Sequence, residues 1–335
     1  MRLLMTTHHV AGLRFVGLLA VTGLPFLLAG CEEVARVLPT SSWHQKCGWE
    51  AEDYFEDPQV VALCEAIEAN DVAEIDRLVA AGADVNAQGK GKRTPLLWAF
   101  PDNKLDRFRR LLEHGADPNV VIESDFNTHG GMSAGDSVTH MACRTAYSGY
   151  FEAVFDHGGD VNLQRKSRVG LHDTPLFSVI KFGGADKKKK IRTLLSKGAD
   201  INHMNGAWLT PPMQAATWGG QYDIALLLLK AGADHGVYRP RSNSKLIHSV
   251  ASEAIRRSAT WSPQRERDYQ QLVQWLEDHG ESVDEARADI ERWRSWSLTT
   301  GERRRKMDAE VAQRKARDAR EKAARQEQED VRTKP

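Results

Sequence analysis

Cysteine is scarce: four residues in a chain of 335 exclude a disulfide-stapled scaffold. No sign of charge dominates, because 46 Lys and Arg offset 46 Asp and Glu. Nothing in that balance draws the protein to nucleic acid, so no nucleic-acid partner is expected. Beyond the first thirty residues no apolar run approaches the roughly 18 residues that span a bilayer, which excludes a polytopic membrane protein. H-E-x-x-H, C-x-x-C and G-x-x-x-x-G-K-[ST] are all missing, so no metal site, phosphate loop or dissociable cofactor is expected. Apolar residues at 41% are enough for a packed core and exclude wholesale disorder.

The N-terminus carries an address. Arg2 and Arg14 precede the apolar run Phe15 to Leu28, which has the length of a signal-peptide core. It ends in Leu28-Ala29-Gly30-Cys31, which resembles the lipobox of bacterial lipoproteins. That resemblance implies cleavage before Cys31, lipidation of Cys31 and stable anchoring by two or three acyl chains. Residues 1–30 are then a signal peptide and 31–57 a lipidated linker. Glu32 is not the aspartate that retains such proteins in the inner membrane, so the periplasmic face of the outer membrane is expected. In that oxidising compartment Cys47 and Cys64, 17 residues apart, are expected to pair. Cys143 lies in an apolar stretch and reads as a buried small residue.

The body repeats. Gly-Ala-Asp-x-Asn, or a close variant, begins at Gly82, Gly115, Gly158, Gly198 and, truncated, at Gly232. Upstream of these lie Thr94-Pro95-Leu96, Val138-Thr139-His140, Thr174-Pro175-Leu176 and Thr210-Pro211-Pro212. Threonine suits a helix cap, proline the first turn, and glycine the left-handed stop after a second helix. Asp and Asn then favour a tight turn. Val72, Ile75, Leu78 and Val79 show the helical spacing between the phrases, and Leu105, Phe108, Leu111 and Leu112 repeat it. These phrases, in register, resemble the ankyrin repeat. The resemblance implies an all-α ankyrin-repeat solenoid over 58–281, with five clear repeats and a degenerate sixth. In the sixth, Arg256 to Arg267 reads as an insertion between two helices. Residues 282–335 read as a helical cap followed by a charged helical tail that lies in solvent.

Insertions mark the recognition side. Glu123 to Asp136 lengthens the turn between repeats two and three, and Lys187 to Lys190 reads as a charged loop within repeat four. The ankyrin resemblance implies binding through turn tips and first helices. The tip residues singled out are Lys90, Lys92, Arg93, Asp125, Phe126, His129, Arg165, Arg168, Trp208, Tyr238 and Arg239. Arginine and aromatics are the residues that binding hot spots favour, and three basic tips point to an acidic partner patch. Gly131-Met132-Ser133-Ala134-Gly135 matches the serine-hydrolase elbow in letters, but it sits in a repeat-protein loop rather than a strand–turn–helix. No catalytic residue is assigned, and the chain is not expected to be an enzyme.

The stretch from Val61 to Val120 also resembles ankyrin lipoproteins that accompany type VI secretion lipase effectors. That likeness implies an immunity protein, a monomer when free, that captures a secreted lipase at the membrane. The alternative is a periplasmic scaffold or envelope-assembly interaction protein.

Overall fold

The computed structural model describes residues 42–125, 132–165, 172–240, 242–296, 305 and 308–320. They fall within one compact unit, Ser41–Pro335. The expected signal peptide and lipidation site, residues 1–30 and Cys31, lie outside the described residues. Every regular element among the described residues is helical.

A short helix α1 (Trp43–Lys46) precedes six helix pairs: α2 (Pro58–Ala69) with α3 (Val72–Ala80), α4 (Pro95–Trp98) with α5 (Leu105–Glu113), α6 (Val138–Arg144) with α7 (Tyr150–Asp156), α8 (Pro175–Phe182) with α9 (Lys187–Ser196), α10 (Pro211–Thr217) with α11 (Tyr222–Lys230), and α12 (Leu246–Arg257) with α13 (Pro263–Asp278). α14 (Val283–Trp296) packs on α12. First helices stack on first helices, as in α2 on α4, α6 on α8 and α10 on α12, and second helices follow suit in α3 on α5 and α11 on α13. This is the ankyrin solenoid the phrases imply.

Local chemistry explains the pairs. Thr94 caps α4 by accepting the Leu97 N–H at 3.2 Å. In repeat three the cap is Ser137, not Thr139; Ser137 Oγ accepts the His140 N–H. Thr139 instead bonds Asn119 Oδ1 at 2.8 Å. Repeat one lacks Thr-Pro but has Asp57-Pro58, and Asp57 accepts the Gln59 N–H at 2.8 Å. The glycines that end the second helices have φ between 83 and 105°, a region a Cβ penalises.

The Asp and Asn of the phrase have separate tasks. Each Asp turns its own loop, as where Asp84 accepts the Asn86 N–H at 2.8 Å. Each Asn reaches the next repeat. Asn86 donates to Gly115 O at 2.9 Å and accepts the Asp117 N–H at 2.7 Å. Asn119 treats Gly158 and Asp160 the same way, and Asn162 treats Gly198 and Asp200. This ladder joins neighbours where no sheet does.

Both ends depart from the sequence reading. From Ser42 onward the linker is folded. His44 is fully buried, stacks on Trp98 at 5.1 Å and bonds its carbonyl through Nε2 at 2.7 Å. Trp49, Tyr54 and Phe55 pack around the same indole. Cys47 and Cys64 are free rather than bonded. Cys64 lies in the first repeat's apolar core, and burial with the nearby carboxylates pushes its thiol well up. At the other end, the expected insertion is helix: α12 runs on to Arg257 and α13 starts at Pro263. The Lys187–Lys190 loop is likewise the first turn of α9, where Lys187 Nζ bonds Ile180 O at 2.8 Å and Lys190 lies over the Phe151 ring. A last helix, α15, covers 308–320 and docks on the stack instead of lying in solvent.

Candidate functional site: the finger face

The fingers are the turns between repeats, and they adjoin the N-termini of the first helices. Most of their chemistry joins one finger to the next. On the first finger Lys90 and Lys92 are exposed, with Lys92 paired to Glu123 at 2.7 Å. Arg93 turns inward and is only 7% exposed. Its guanidinium stacks 4.3 Å from the Tyr54 ring centre and donates to Lys90 O at 2.7 Å. Gly89 permits the approach of the cap, because a Cβ there would meet Tyr54 O at 2.4 Å.

The long second finger has a rigid base. Ile122 N–H donates to Asp136 O at 2.9 Å, and Gly135 N–H to Ile122 O at 2.8 Å. Asp136 is wholly buried and carries two guanidiniums, Arg144 at 2.9 Å and Arg165 at 2.6 Å. Met132 and Ile122 are also buried, so Glu123 to Asp136 is not a detachable insert. Asp125 is exposed and holds the Ala134 N–H at 2.8 Å. Phe126 and His129 lie outside the described residues, as does Arg168 on the next finger. Ser133 donates its backbone N–H to Asp136 Oδ2 at 3.2 Å, and its carbonyl accepts the Asp136 N–H at 3.0 Å.

The later fingers repeat the pattern. Arg165 reaches back to Asp136. Trp208 is 38% exposed and stands at φ 59°. Arg239 donates to the Trp208 and Ala207 carbonyls, both at 3.2 Å, which fixes that turn. Tyr238 is covered by α15: Lys315 Nζ lies 4.3 Å from its ring centre, and its hydroxyl donates to Asp318 at 3.1 Å. Arg93, Arg165 and Arg239 therefore shape the face, while Lys90, Lys92, Asp125 and Trp208 present side chains from it.

Among the described residues of the face, one histidine is strongly perturbed. His140 is wholly buried, and burial lowers it to about 4. Its Nε2 faces the Leu163 and Asp173 carbonyls and its Nδ1 faces Ser137 Oγ at 2.9 Å, which sets a neutral ring. Among the described residues no cluster of three or more His, Cys, Asp and Glu is placed to hold a metal ion.

Sequence reasoning missed a second exposed feature. Phe182 and Trp218 close α8 and α10 at the ends away from the fingers, 49% and 45% exposed. Their rings meet edge to face at 5.9 Å, and Trp218 Nε1 donates to Lys181 O at 3.2 Å. Each stands eight residues after its repeat's threonine, Thr174 or Thr210, so the repeat register itself was the signal.

Comparison with known proteins agrees with this architecture. The family model for ankyrin repeats (many copies) matches residues 184–229. A Rickettsia felis protein named for ankyrin repeats is 38% identical over 79 residues, 24% of this chain and 33% of that protein. The protein YahD of Escherichia coli K12, also named for ankyrin repeats, is 27% identical over 161 residues, 48% of this chain and 73% of its own length. The mouse protein NF-kappa-B inhibitor delta is 29% identical over 165 residues, 49% of this chain and 41% of that protein. The matches thus span at most about half of this chain, and well under two thirds of the Rickettsia and mouse proteins. Fold and likeness agree: the described residues form an ankyrin solenoid, and residues 184–229 match the ankyrin-repeat family model.

Proposed function

We propose that the protein is a lipid-anchored periplasmic ankyrin protein that captures a secreted lipase as its immunity partner. The anchor is Cys31 and the capture face is the row of fingers. The observation that carries the reading is the long second finger, set on the buried Asp136 between Arg144 and Arg165. A loop held this firmly at its base enters a partner's cleft at low entropic cost. A relative named NF-kappa-B inhibitor delta supports a reading in which this chain, too, acts as an inhibitor. Lys90 and Lys92 flank the loop and favour an acidic rim on the partner. Tethering suits the task, because a lipase must be held before it reaches membrane lipid.

Phe182 and Trp218 favour the second reading. An aromatic pair at the far end of the first helices gives the molecule two separate sticky surfaces, as a periplasmic scaffold requires.

The test is a pull-down from periplasm with the chain from residue 32 onward, with and without products of neighbouring genes. Tight capture of one neighbouring lipase, lost when residues 126–131 are deleted, supports the immunity reading. Recovery of envelope proteins alone, dependent on Trp218, replaces it with the scaffold reading.

A further inference from the structure

We propose that the surface formed by the last finger and α14 is a helix-receiving groove, which α15 fills in the free protein and which a partner's helix takes over. The proposal rests on reading the fingers as the recognition face, and it specifies what the last finger recognises.

The composition of α15 gives it little reason to dock. Among 308–320, Val311 is the one apolar residue larger than alanine. Yet Val311 is only 8% exposed. Val311, Arg314, Lys315 and Asp318 have i, i+3, i+4, i+7 spacing, one face of a helix. Each polar member of that face has a partner in the groove. Arg314 bonds Asp289 of α14. Lys315 Nζ bonds Asn243 Oδ1 at 2.8 Å and covers the Tyr238 ring. Asp318 accepts the Tyr238 hydroxyl and lies 3.7 Å from Lys245 Nζ. The groove thus offers a carboxylate, an amide, a phenol and an ammonium in a row that matches one helical face. This is helix-in-groove recognition.

The docking is also incomplete. A cavity of about 740 Å³ lies between α15, the finger and the α13–α14 turn, lined in part by His235, His279 and Glu281. One valine and partly exposed ion pairs make a weak seal. These contacts form within one chain, because α15 follows α14 by residues 297–307, and that linkage gives an effective concentration on the order of millimolar. A partner helix with an apolar residue, two cations and a carboxylate in the same order meets the same groups. It competes against one valine, a few polar contacts and that intramolecular advantage, not against a packed core.

The experiment uses the full chain from residue 32 and a fluorescein-labelled peptide of residues 305–320 as the probe. Two variants weaken the docking in cis: Val311→Asp, and Arg314→Glu with Asp318→Lys. Hydrogen exchange over 308–320 reports release, and anisotropy reports peptide binding. Expected are faster exchange in both variants and peptide binding at least about tenfold tighter than to the unaltered chain. Adding Tyr238→Ala removes that gain. Released variants that bind the peptide no better than the unaltered chain overturn the proposal, as does a tail that neither variant releases. Peptide binding needs no external partner, so a failed pull-down with intact peptide binding sinks the function reading alone.

Discussion

Asp136 Oδ1 receives Arg165 Nε at 2.6 Å across the gap between the second and third fingers, with no exposure of the carboxylate to solvent. Arg144 from α6 meets the same oxygen at 2.9 Å. Two cations hold one buried anion, so their removal is not additive. Arg144→Ala and Arg165→Ala singly each leave one counter-charge and cost about 1–2 kcal/mol. The double variant leaves a buried carboxylate unpaired and costs roughly 1–3 kcal/mol more than the two singles together. Urea unfolding of the four proteins gives the coupling. Additive values within error would show that Asp136 is solvated and does not frame the loop.

His140 makes stability fall in mild acid. Burial lowers its folded value to about 4, against about 6.5 in the unfolded chain. Asp136 and Arg144 are the charges that face it, the first opposing the shift and the second adding to it. Between those two values the unfolded chain binds the proton and the folded chain does not. Stability therefore declines as pH falls from 6.5 to 4, by about 3 kcal/mol in all, and this contribution levels off below. Chemical denaturation across that range should show the decline in the unaltered chain and a flatter slope in His140→Asn. Equal slopes would place the proton elsewhere.

Asp289 works in the opposite direction of charge. Burial pushes its carboxyl up, but hydrogen bonds from His248 and Arg314 outweigh that and hold it at about 2. Arg292 of its own helix also pairs with it. A lowered carboxyl contributes stability in full above its unfolded value near 4 and loses it as pH falls toward 2. Since Arg314 belongs to α15, undocking of 308–320 should accompany that loss. Exchange of those amides at pH 3 should exceed that at pH 6 after correction for the intrinsic rate, and Asp289→Asn should remove the difference. An unchanged ratio in the variant would show that Asp289 does not hold α15.

What was legible in the sequence follows the range of the interactions. The solenoid is a nearest-neighbour structure, so Gly82, Gly115, Gly158, Gly198 and Gly232 in register were enough to place its repeats. The ends rest on distant pairs. His44 meets Trp98 and Tyr238 meets Asp318, contacts that cross 54 and 80 residues and leave no periodicity behind. Lys187 to Lys190 read as a loop because four like charges look solvated, whereas two of them reach carbonyls of neighbouring segments. At the site, residue type identified the fingers. It did not tell which arginines turn inward, because that depends on Tyr54 and Asp136, supplied from other parts of the chain.

The cysteines give a direct reading of the N-terminal cap. Cys64 and Cys143 are buried, and burial raises both thiols, Cys143 to about 12. Neither forms thiolate while folded. Cys47 is half-buried at the end of α1. In the chain from residue 32, a thiol reagent should therefore titrate one cysteine in the native protein and three after unfolding. If oxidised protein instead shows one reactive thiol in denaturant and a mass lower by two hydrogens, Cys47 and Cys64 are bonded and the cap closes differently.

Arg93 and Lys92 are adjacent, both basic and both on the first finger, yet they answer to different forces. Arg93 lies against Tyr54 and satisfies the Lys90 carbonyl while almost wholly buried. Arg93→Ala removes a stacked, desolvated cation and should cost about 1.5–3 kcal/mol of stability. Lys92 pairs with Glu123 at the surface, with both side chains about half exposed. Lys92→Ala should change stability by no more than about 0.5 kcal/mol. Capture of an acidic partner should reverse the order. Lys92→Glu should slow association and weaken its dependence on salt, since exposed rim charges act on encounter. Arg93→Lys, which keeps the charge but not the planar stack, should lose stability nearly as Arg93→Ala does. Unfolding curves and association rates on the same four proteins separate the two roles. A Lys92→Glu variant that associates at the unaltered rate would remove the first finger from the recognition face.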